Sequence, residues 1–173
     1  MIKKFELDLS SKMTILGVEL FRIKALISFG NVKEGELGGY VEKEDNLSHS
    51  GDAWVYGNAW VYGNAEVYGN AEVYGDARVY GNAEVSGDAR VSGDARVYGN
   101  ARVSKLNDYI LFKNTWSSGR YFTYTKSNEM WKVGCFYGTG EELIKKAYED
   151  SEVSGKHYEA YVNFVKTLEA LDN

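Results

Sequence analysis

A mainly β solenoid of short parallel strands is the fold class that this 173-residue sequence predicts, on three observations. One six-residue phrase, as in Ala53-Trp54-Val55-Tyr56-Gly57-Asn58, repeats without insertion from Ala53 to Ser104. Its first position is always Ala and its third always Val, two residues apart and so on one side of a strand. Its fifth and sixth positions are always Gly followed by Asn or Asp, the residue types that best tolerate a positive φ. Each phrase is therefore one strand and one corner, too small to fold alone, and buries its apolar side by stacking on its neighbours. This reasoning leaves open the number of sides per coil and the hand of the coil. The crossover rule for parallel strands would favour a right-handed one.

Residues 1–34 read as a β-hairpin cap. Phe5, Leu7 and Leu9 alternate with polar residues, and a turn at Leu16-Gly17 folds Thr14-Ile15 back against Val18-Glu19-Leu20. Gly30-Asn31 marks a second turn. Counting back in sixes from Ala53 places Leu47 and His49, Val41 and Lys43, and Gly35 and Leu37 at the Ala and Val positions, so the solenoid is expected to span 35–106, with degraded hexads before Ala53. End coils that adapt to a cap have this character.

After Ser104 the period stops, and residues 107–173 read as an α+β end module. Tyr109–Phe112, Tyr121–Thr125 and Met130–Phe136 predict three strands. Thr139-Gly140-Glu141-Glu142 is a capping box opening a helix whose apolar side is Leu143, Ile144, Ala147 and Tyr148. A second helix is expected from about Lys156, with Tyr158, Tyr161, Val162, Val165 and Leu168 on one stripe.

The phrase Val55-Tyr56-Gly57-Asn58-Ala59-Trp60 resembles the hexapeptide pattern of the left-handed parallel β-helix superfamily. That resemblance implies a left-handed coil of triangular section with three hexads per turn, about four coils here, and frequent oligomers. The segments Gly38-Gly39-Tyr40-Val41 and Asn46-Leu47-Ser48 also resemble uncharacterised hexapeptide-repeat proteins of bacteria and phages. With three hexads per coil, residues eighteen apart stack. One face then carries Trp54, Glu72 and Arg90, with Tyr56, Tyr74 and Ser92. A second carries Trp60, Arg78 and Arg96, with Tyr62, Tyr80 and Tyr98. The third carries Ser48, Glu66, Glu84 and Arg102, with Tyr68, Ser86 and Ser104. Glu72 with Arg90 and Glu84 with Arg102 are expected ion pairs. The second face has the residue types that dominate binding hot spots, so Trp60, Tyr62, Arg78, Tyr80, Arg96 and Tyr98, with Trp54 of the first face, are the expected interaction residues.

Composition narrows the chemistry. The net charge is −5, distributed as +1 over 1–40, −5 over 41–104 and −1 over 105–173. This is no basic footprint for gripping phosphate backbones, and direct nucleic-acid binding is not expected. No run of residues suits a membrane span or a signal peptide, and the single cysteine, Cys135, fits a reducing compartment, so a cytoplasmic location is expected. Acyltransferases of this superfamily use a His near a subunit boundary and loops that interrupt the coils. The array from 53 to 104 has neither, and His49 reads as a structural residue beneath the cap. The zinc site of the γ-type carbonic anhydrases needs three His, and the chain has two, His49 and His157. Cys135 reads as a buried strand residue rather than half of a dyad with His157. The stretch Gly134 to Gly140 is glycine-rich before a helix but lacks the lysine of a phosphate loop. Corner residues such as Asn58, Asp76 and Asp94 read as solvated turns rather than cation ligands.

No catalytic residue, metal or cofactor is therefore expected, and the predicted function is a non-catalytic interaction scaffold. The phage resemblance implies an inhibitor that binds a host defence protein, for example a CRISPR nuclease, or sequesters a nucleotide signal. Self-association as a dimer or trimer is the other expected partnership. The alternatives are an acyltransferase-like enzyme and a self-assembling structural protein, and two dissimilar end caps oppose the second by blocking end-to-end growth.

Overall fold

Each hexad forms one two-residue strand: Trp54–Val55 (β4), Trp60–Val61 (β5), Glu66–Val67 (β6), Glu72–Val73 (β7), Arg78–Val79 (β8), Glu84–Val85 (β9), Arg90–Val91 (β10), Arg96–Val97 (β11) and Arg102–Val103 (β12). Strands eighteen residues apart pair in parallel, so that Val55 lies over Val73 and Val73 over Val91. Every third strand belongs to the same sheet, giving β4-β7-β10, β5-β8-β11 and β6-β9-β12. The ladder is regular: Trp60 N–H donates to the Ala77 carbonyl at 2.9 Å and Tyr62 N–H to that of Val79 at 3.0 Å. The Ala and Val of every hexad are fully buried. One valine buried per strand contributes about 2 kcal/mol, and this stacked column supplies the hydrophobic stabilisation of the array. The structure, a computed structural model, describes residues 2–172; Met1 and Asn173, the outer bounds of the expected cap and end module, lie outside the described residues.

The N-terminal hairpin consists of Phe5–Ile15 (β1) and Val18–Ala25 (β2), antiparallel around the Leu16-Gly17 turn, with Thr14 opposite Glu19 as expected. A second turn at Gly30-Asn31 joins Phe29 to Val32. Leu37–Val41 (β3) pairs antiparallel with β2 and parallel with β5, so the hairpin extends one solenoid sheet to six strands, β1-β2-β3-β5-β8-β11. Phe5, Ile23, Ala25 and Val32 belong to the solenoid core, which makes the hairpin a lid with no core of its own. Its polar groups complete the open edge. Lys4 Nζ donates to the carbonyls of Gly51 and Ala53, at 3.2 and 2.8 Å. Asn46 Nδ2 donates to those of Gly63 and Ala65, at 3.1 and 2.8 Å. Arg22 Nη2 reaches the Gly57 carbonyl at 3.2 Å.

The backward count in sixes fails before Ala53. Val41 aligns with Val61 and Leu47 with Val67, twenty residues apart instead of eighteen. Two extra residues are therefore accommodated between Leu47 and Gly51. The positions facing the core are Val41 and Leu47, while Leu37 and Lys43 are exposed and His49 is half-buried outside it. Asn46 and Ser48, rather than Ser48 and Ser50, flank the inward residue of this coil.

The end module has one strand more than expected: Tyr109–Lys113 (β13), Tyr121–Thr125 (β14), Met130–Val133 (β15) and Phe136–Gly138 (β16) form an antiparallel sheet in that order. The expected third strand is a hairpin, turning at Gly134-Cys135. Alternation divides this sheet's two faces. Tyr109 and Leu111 pack on the solenoid core, while Ile110, Phe112, Phe122 and Tyr124 join a second core with Trp131, Leu143, Tyr158, Val162 and Val165. The helices Gly140–Asp150 (α1) and Glu152–Leu171 (α2) supply that core's other side. The Thr139 capping box forms as predicted, and α2 starts before Lys156 because Ser151 caps it, accepting from Ser154 N–H at 3.1 Å. Hydroxyls close the far ladder. Thr123 Oγ1 accepts from Arg96 N–H at 2.9 Å, and Ser127 Oγ from Arg102 N–H at 2.7 Å. The Tyr109 hydroxyl accepts from Ser92 N–H and donates to the Arg90 carbonyl, as a further strand would.

Two stability experiments follow from this architecture. Gly57 and Gly75 are both corner glycines at positive φ, but a Cβ on Gly57 meets nothing within 4 Å, whereas one on Gly75 lies 3.0 Å from Gly93 N in the next coil. Gly57→Ala is expected to cost about 1 kcal/mol in urea unfolding from backbone strain, and Gly75→Ala at least about 1 kcal/mol more from the displaced coil. Equal losses would mean that coil spacing yields freely. Burial lowers the Lys4 pKa to about 8, against a nearby Asp52 charge that raises it. The folded pKa lies below the unfolded one, so the unfolded chain binds more protons between pH 8 and 10.5, and stability rises with pH there. The gain of wild type over Lys4→Met across this window is expected to be about 2 kcal/mol by denaturant melts. A flat difference would show that Lys4 is no more desolvated in the fold than out of it.

Candidate functional site

Stacking at one-strand spacing places the outward residues of the hexads in columns. On the six-stranded sheet the register gives Arg22, Tyr40, Trp60, Arg78 and Arg96 as one column across β2, β3, β5, β8 and β11. The Arg22 guanidinium lies 5.0 Å from the Tyr40 ring centroid, and that of Arg78 lies 4.1 Å from the Trp60 ring centroid. Each such cation–π contact is worth about 0.5 to 1 kcal/mol at a partly exposed site. Beside it runs a tyrosine column. Tyr62 and Tyr80 stack at 4.9 Å with their planes 7° apart, Tyr80 and Tyr98 follow at 4.5 Å, and Tyr137 of the end module closes the column edge-on at 4.7 Å. Six of the seven expected interaction residues, Trp60, Tyr62, Arg78, Tyr80, Arg96 and Tyr98, thus lie together on one half-buried surface.

Both ends of that surface are built by the caps. The hairpin tip brings Ile15, Leu16, Val18 and Leu20 beside Trp60 and Tyr62, around a cleft of about 20 Å³. At the other end Lys132 of β15 lies over the Tyr98 ring at 5.3 Å. Burial, and secondly the charge of Arg96, hold the Lys132 ammonium below its usual pKa range. Burial among its neighbours also pushes the Tyr80 hydroxyl up to about 12, and raises Tyr62. The Tyr62 and Tyr80 phenols are therefore neutral donors and acceptors at any physiological pH.

Trp54 does not belong to this surface, nor to any exposed face. It is fully buried, in ring contact with Phe29 at 5.3 Å and Phe5 at 6.2 Å. Strand alternation points it outward, but β4 is the first strand of its sheet, and the N-terminal segment folds over it. The expected ion pairs form on the other two faces, Glu72 with Arg90 at 3.1 Å and Glu84 with Arg102 at 3.5 Å.

The remaining candidates are engaged structurally. The His49 ring stacks on Phe5 at 4.3 Å, and its Nδ1 accepts from Lys4 N–H at 3.2 Å. This leaves the proton of the neutral ring on Nε2, 3.6 Å from Glu44, whose carboxylate is also held by Lys3 at 2.6 Å. His49 borders a cleft of about 450 Å³ with Lys43, Glu44, Ser48, Asn64 and Glu66. Cys135 is exposed in a hairpin turn, not buried in a strand, because the chain reverses at Gly134-Cys135. His157 stacks on Trp116 at 4.4 Å, with Nδ1 2.8 Å from the Val153 carbonyl, and no contact joins it to Cys135 among the described residues. The glycine-rich stretch before α1 is spent in that hairpin and in packing, with a Cβ on Gly140 falling 2.7 Å from Val162. Asn58, Asp76 and Asp94 are exposed corners. Among the described residues no three His, Cys, Asp or Glu side chains are grouped to hold a metal, and no helix is long and apolar enough to cross a membrane.

The family model described as YdcK Beta solenoid repeat matches residues 71–87 and 95–105, both inside the hexad array. The chain is a β-helix repeat protein of about four turns with a helix-plus-strand module at its C-terminal end. No curated protein matches it.

Arg78 and Arg96 stand directly opposite each other on adjacent strands, whereas Arg90 and Arg102 face glutamates. Like charges in that position destabilise a sheet. Arg96→Glu is therefore expected to raise thermal stability at low salt by about 0.5 kcal/mol, with the gain fading as salt is added. A loss of stability in that variant would show that the arginine pair is compensated by stacking.

Proposed function

We propose that the chain is a non-catalytic interaction scaffold that binds a protein partner on the Trp60, Tyr62, Arg78, Tyr80, Arg96 and Tyr98 face. The observation that carries this reading is the column of partly exposed aromatic and arginine side chains on the one sheet of six strands, where the other two solenoid sheets have three. Rigid aromatic side chains lose little entropy on binding, and Tyr, Trp and Arg concentrate binding energy. We further propose that the coil is a left-handed, three-sided β-helix of the hexapeptide-repeat type. The three strands per turn and the six-residue period support that assignment.

The phage resemblance makes a host protein that the chain inhibits our preferred partner. A broad rigid face suits a protein better than a nucleotide, since the cleft beside it, about 20 Å³, is far smaller than a nucleotide. Acyl transfer has little support. The histidine near the solenoid, His49, has Nδ1 engaged by the backbone and Nε2 directed at Glu44.

Affinity capture from the natural host, followed by mass spectrometry, tests the reading. Trp60→Ala with Tyr80→Ala is expected to lower recovery of the bound protein more than tenfold, as loss of two hot-spot residues does, with folding checked by circular dichroism. Tyr68→Ala with Tyr74→Ala, on the other faces, is expected to leave recovery unchanged. Retention by the first pair would remove the proposed face from the interaction. Light scattering on the same variants separates a foreign partner from a dimer or trimer of this chain.

A further inference from the structure

The regular repeat contains four arginines, and their surroundings differ by face. Arg90 and Arg102 pair with Glu72 and Glu84 of the preceding coil. Arg78 and Arg96 form no ion pair among the described residues, yet they lie on neighbouring strands in direct register. Lys132 adds a third cation at the Arg96 end, above Tyr98. The corner carboxylates nearest in sequence, Asp76 and Asp94, are exposed and pair with none of the three. A chain with net charge −5 thus gathers Arg78, Arg96 and Lys132 close together on its aromatic face, with Arg22 further along the same column, and none has an ion pair among the described residues.

We propose that Arg78, Arg96 and Lys132 form a receiving site for the carboxylates of an acidic segment of a partner protein. The inference rests on reading this face as the binding surface and specifies the chemistry of what it binds. Guanidinium groups are weakly hydrated forks that match carboxylates in two-point hydrogen bonds. The neighbouring tyrosine hydroxyls supply further donors.

The geometry selects among anions. A single-stranded nucleic acid would add base stacking, which needs free ring faces. Here Tyr62 stacks on Tyr80, Tyr80 lies tilted against Tyr98 at 4.5 Å, and one face of Trp60 is covered by Arg78. The tyrosine column presents mainly ring edges and hydroxyls, which suit peptide side chains. A second copy of this chain, docked face to face about a twofold axis, would set cation against cation.

The test is fluorescence anisotropy of a labelled polyglutamate peptide titrated with the full chain at low salt. Saturable binding that weakens as salt is raised is expected. Arg78→Gln with Arg96→Gln should weaken it about tenfold, and Arg90→Gln with Arg102→Gln should leave it unchanged within about twofold. Arg96→Glu separates recognition from folding, because it should raise the melting temperature and still abolish peptide binding. The proposal is overturned if no saturable binding occurs, if both double variants lose it equally, or if an oligothymidylate of equal length binds as tightly. In any of those cases partner capture that still depends on Trp60 and Tyr80 would leave the face itself as the binding surface, with a different chemistry of recognition.

Discussion

Stacking of each coil on the next at an eighteen-residue offset is the constraint on which the rest of this protein depends. A two-residue strand cannot persist alone, so its hydrogen bonds and its buried Ala and Val exist only because an equivalent strand lies above or below. The arrangement satisfies every interior coil and leaves two unsatisfied ends. An orphaned buried backbone group costs about 1 to 3 kcal/mol, and an open edge invites another chain to pair with it. The two ends answer this demand with complementary side chains. Carbonyls at the first coil receive donors from Lys4, Arg22 and Asn46, while N–H groups at the last coil meet the oxygens of Tyr109, Thr123 and Ser127. The caps are hydrogen-bond complements of a parallel ladder before they are anything else.

That view explains why the caps differ so much in construction. At the first coil a hairpin continues one sheet directly, so backbone pairing does most of the work and Lys4 and Asn46 fill what remains. At the last coil an antiparallel sheet lies across the end, and side-chain oxygens stand in for strand carbonyls. This second solution needs its own core to stay rigid, which the helices provide through Leu143, Tyr158, Val162 and Val165. Lys4 marks the expense of the first solution. Its ammonium is desolvated in order to satisfy two carbonyls, and its lowered pKa records that strain.

The period, the buried Ala and Val positions and the Thr139 cap were legible in the sequence because each depends on residues at fixed short separations, and the ion pairs became legible once the resemblance supplied three hexads per coil. The extra pair of residues between Leu47 and Gly51 was not. Ser48-His49-Ser50 contains no apolar residue to mark the slip, and a count in sixes passes through it unhindered. Trp54 escaped for a different reason. Its outward direction follows from strand alternation, but its burial depends on Phe5 and Phe29, nearly fifty and twenty-five residues earlier in the chain. Cys135 was misplaced because one apolar run, Met130 to Phe136, hides a two-residue reversal at Gly134-Cys135. The surface formed by Trp60, Arg78 and Arg96 could be drawn once the hexapeptide resemblance supplied three hexads per coil. Its enlargement by the hairpin and by Lys132 and Tyr137 could not, since those contacts are tertiary.

The repeat makes the three sides of the solenoid nearly equivalent, and the caps make them unequal. Only one side continues into the hairpin, and the same side meets Tyr137 and Lys132 at its other end. That side alone sets arginine opposite arginine, although the same hexad position carries glutamate elsewhere in the array. Like charges in register cost a sheet stability. Glu66 opposite Glu84 is relieved by Arg102, whereas the Arg78–Arg96 pair has no carboxylate partner among the described residues and only the Trp60 ring beneath Arg78. With both ends closed by caps, the lateral sheets are the solenoid surfaces left open to solvent. Within the chain, aromatic rings rather than carboxylates meet these cations, Trp60 under Arg78 and Tyr98 under Lys132, and that is the feature on which the proposed recognition of acidic side chains rests.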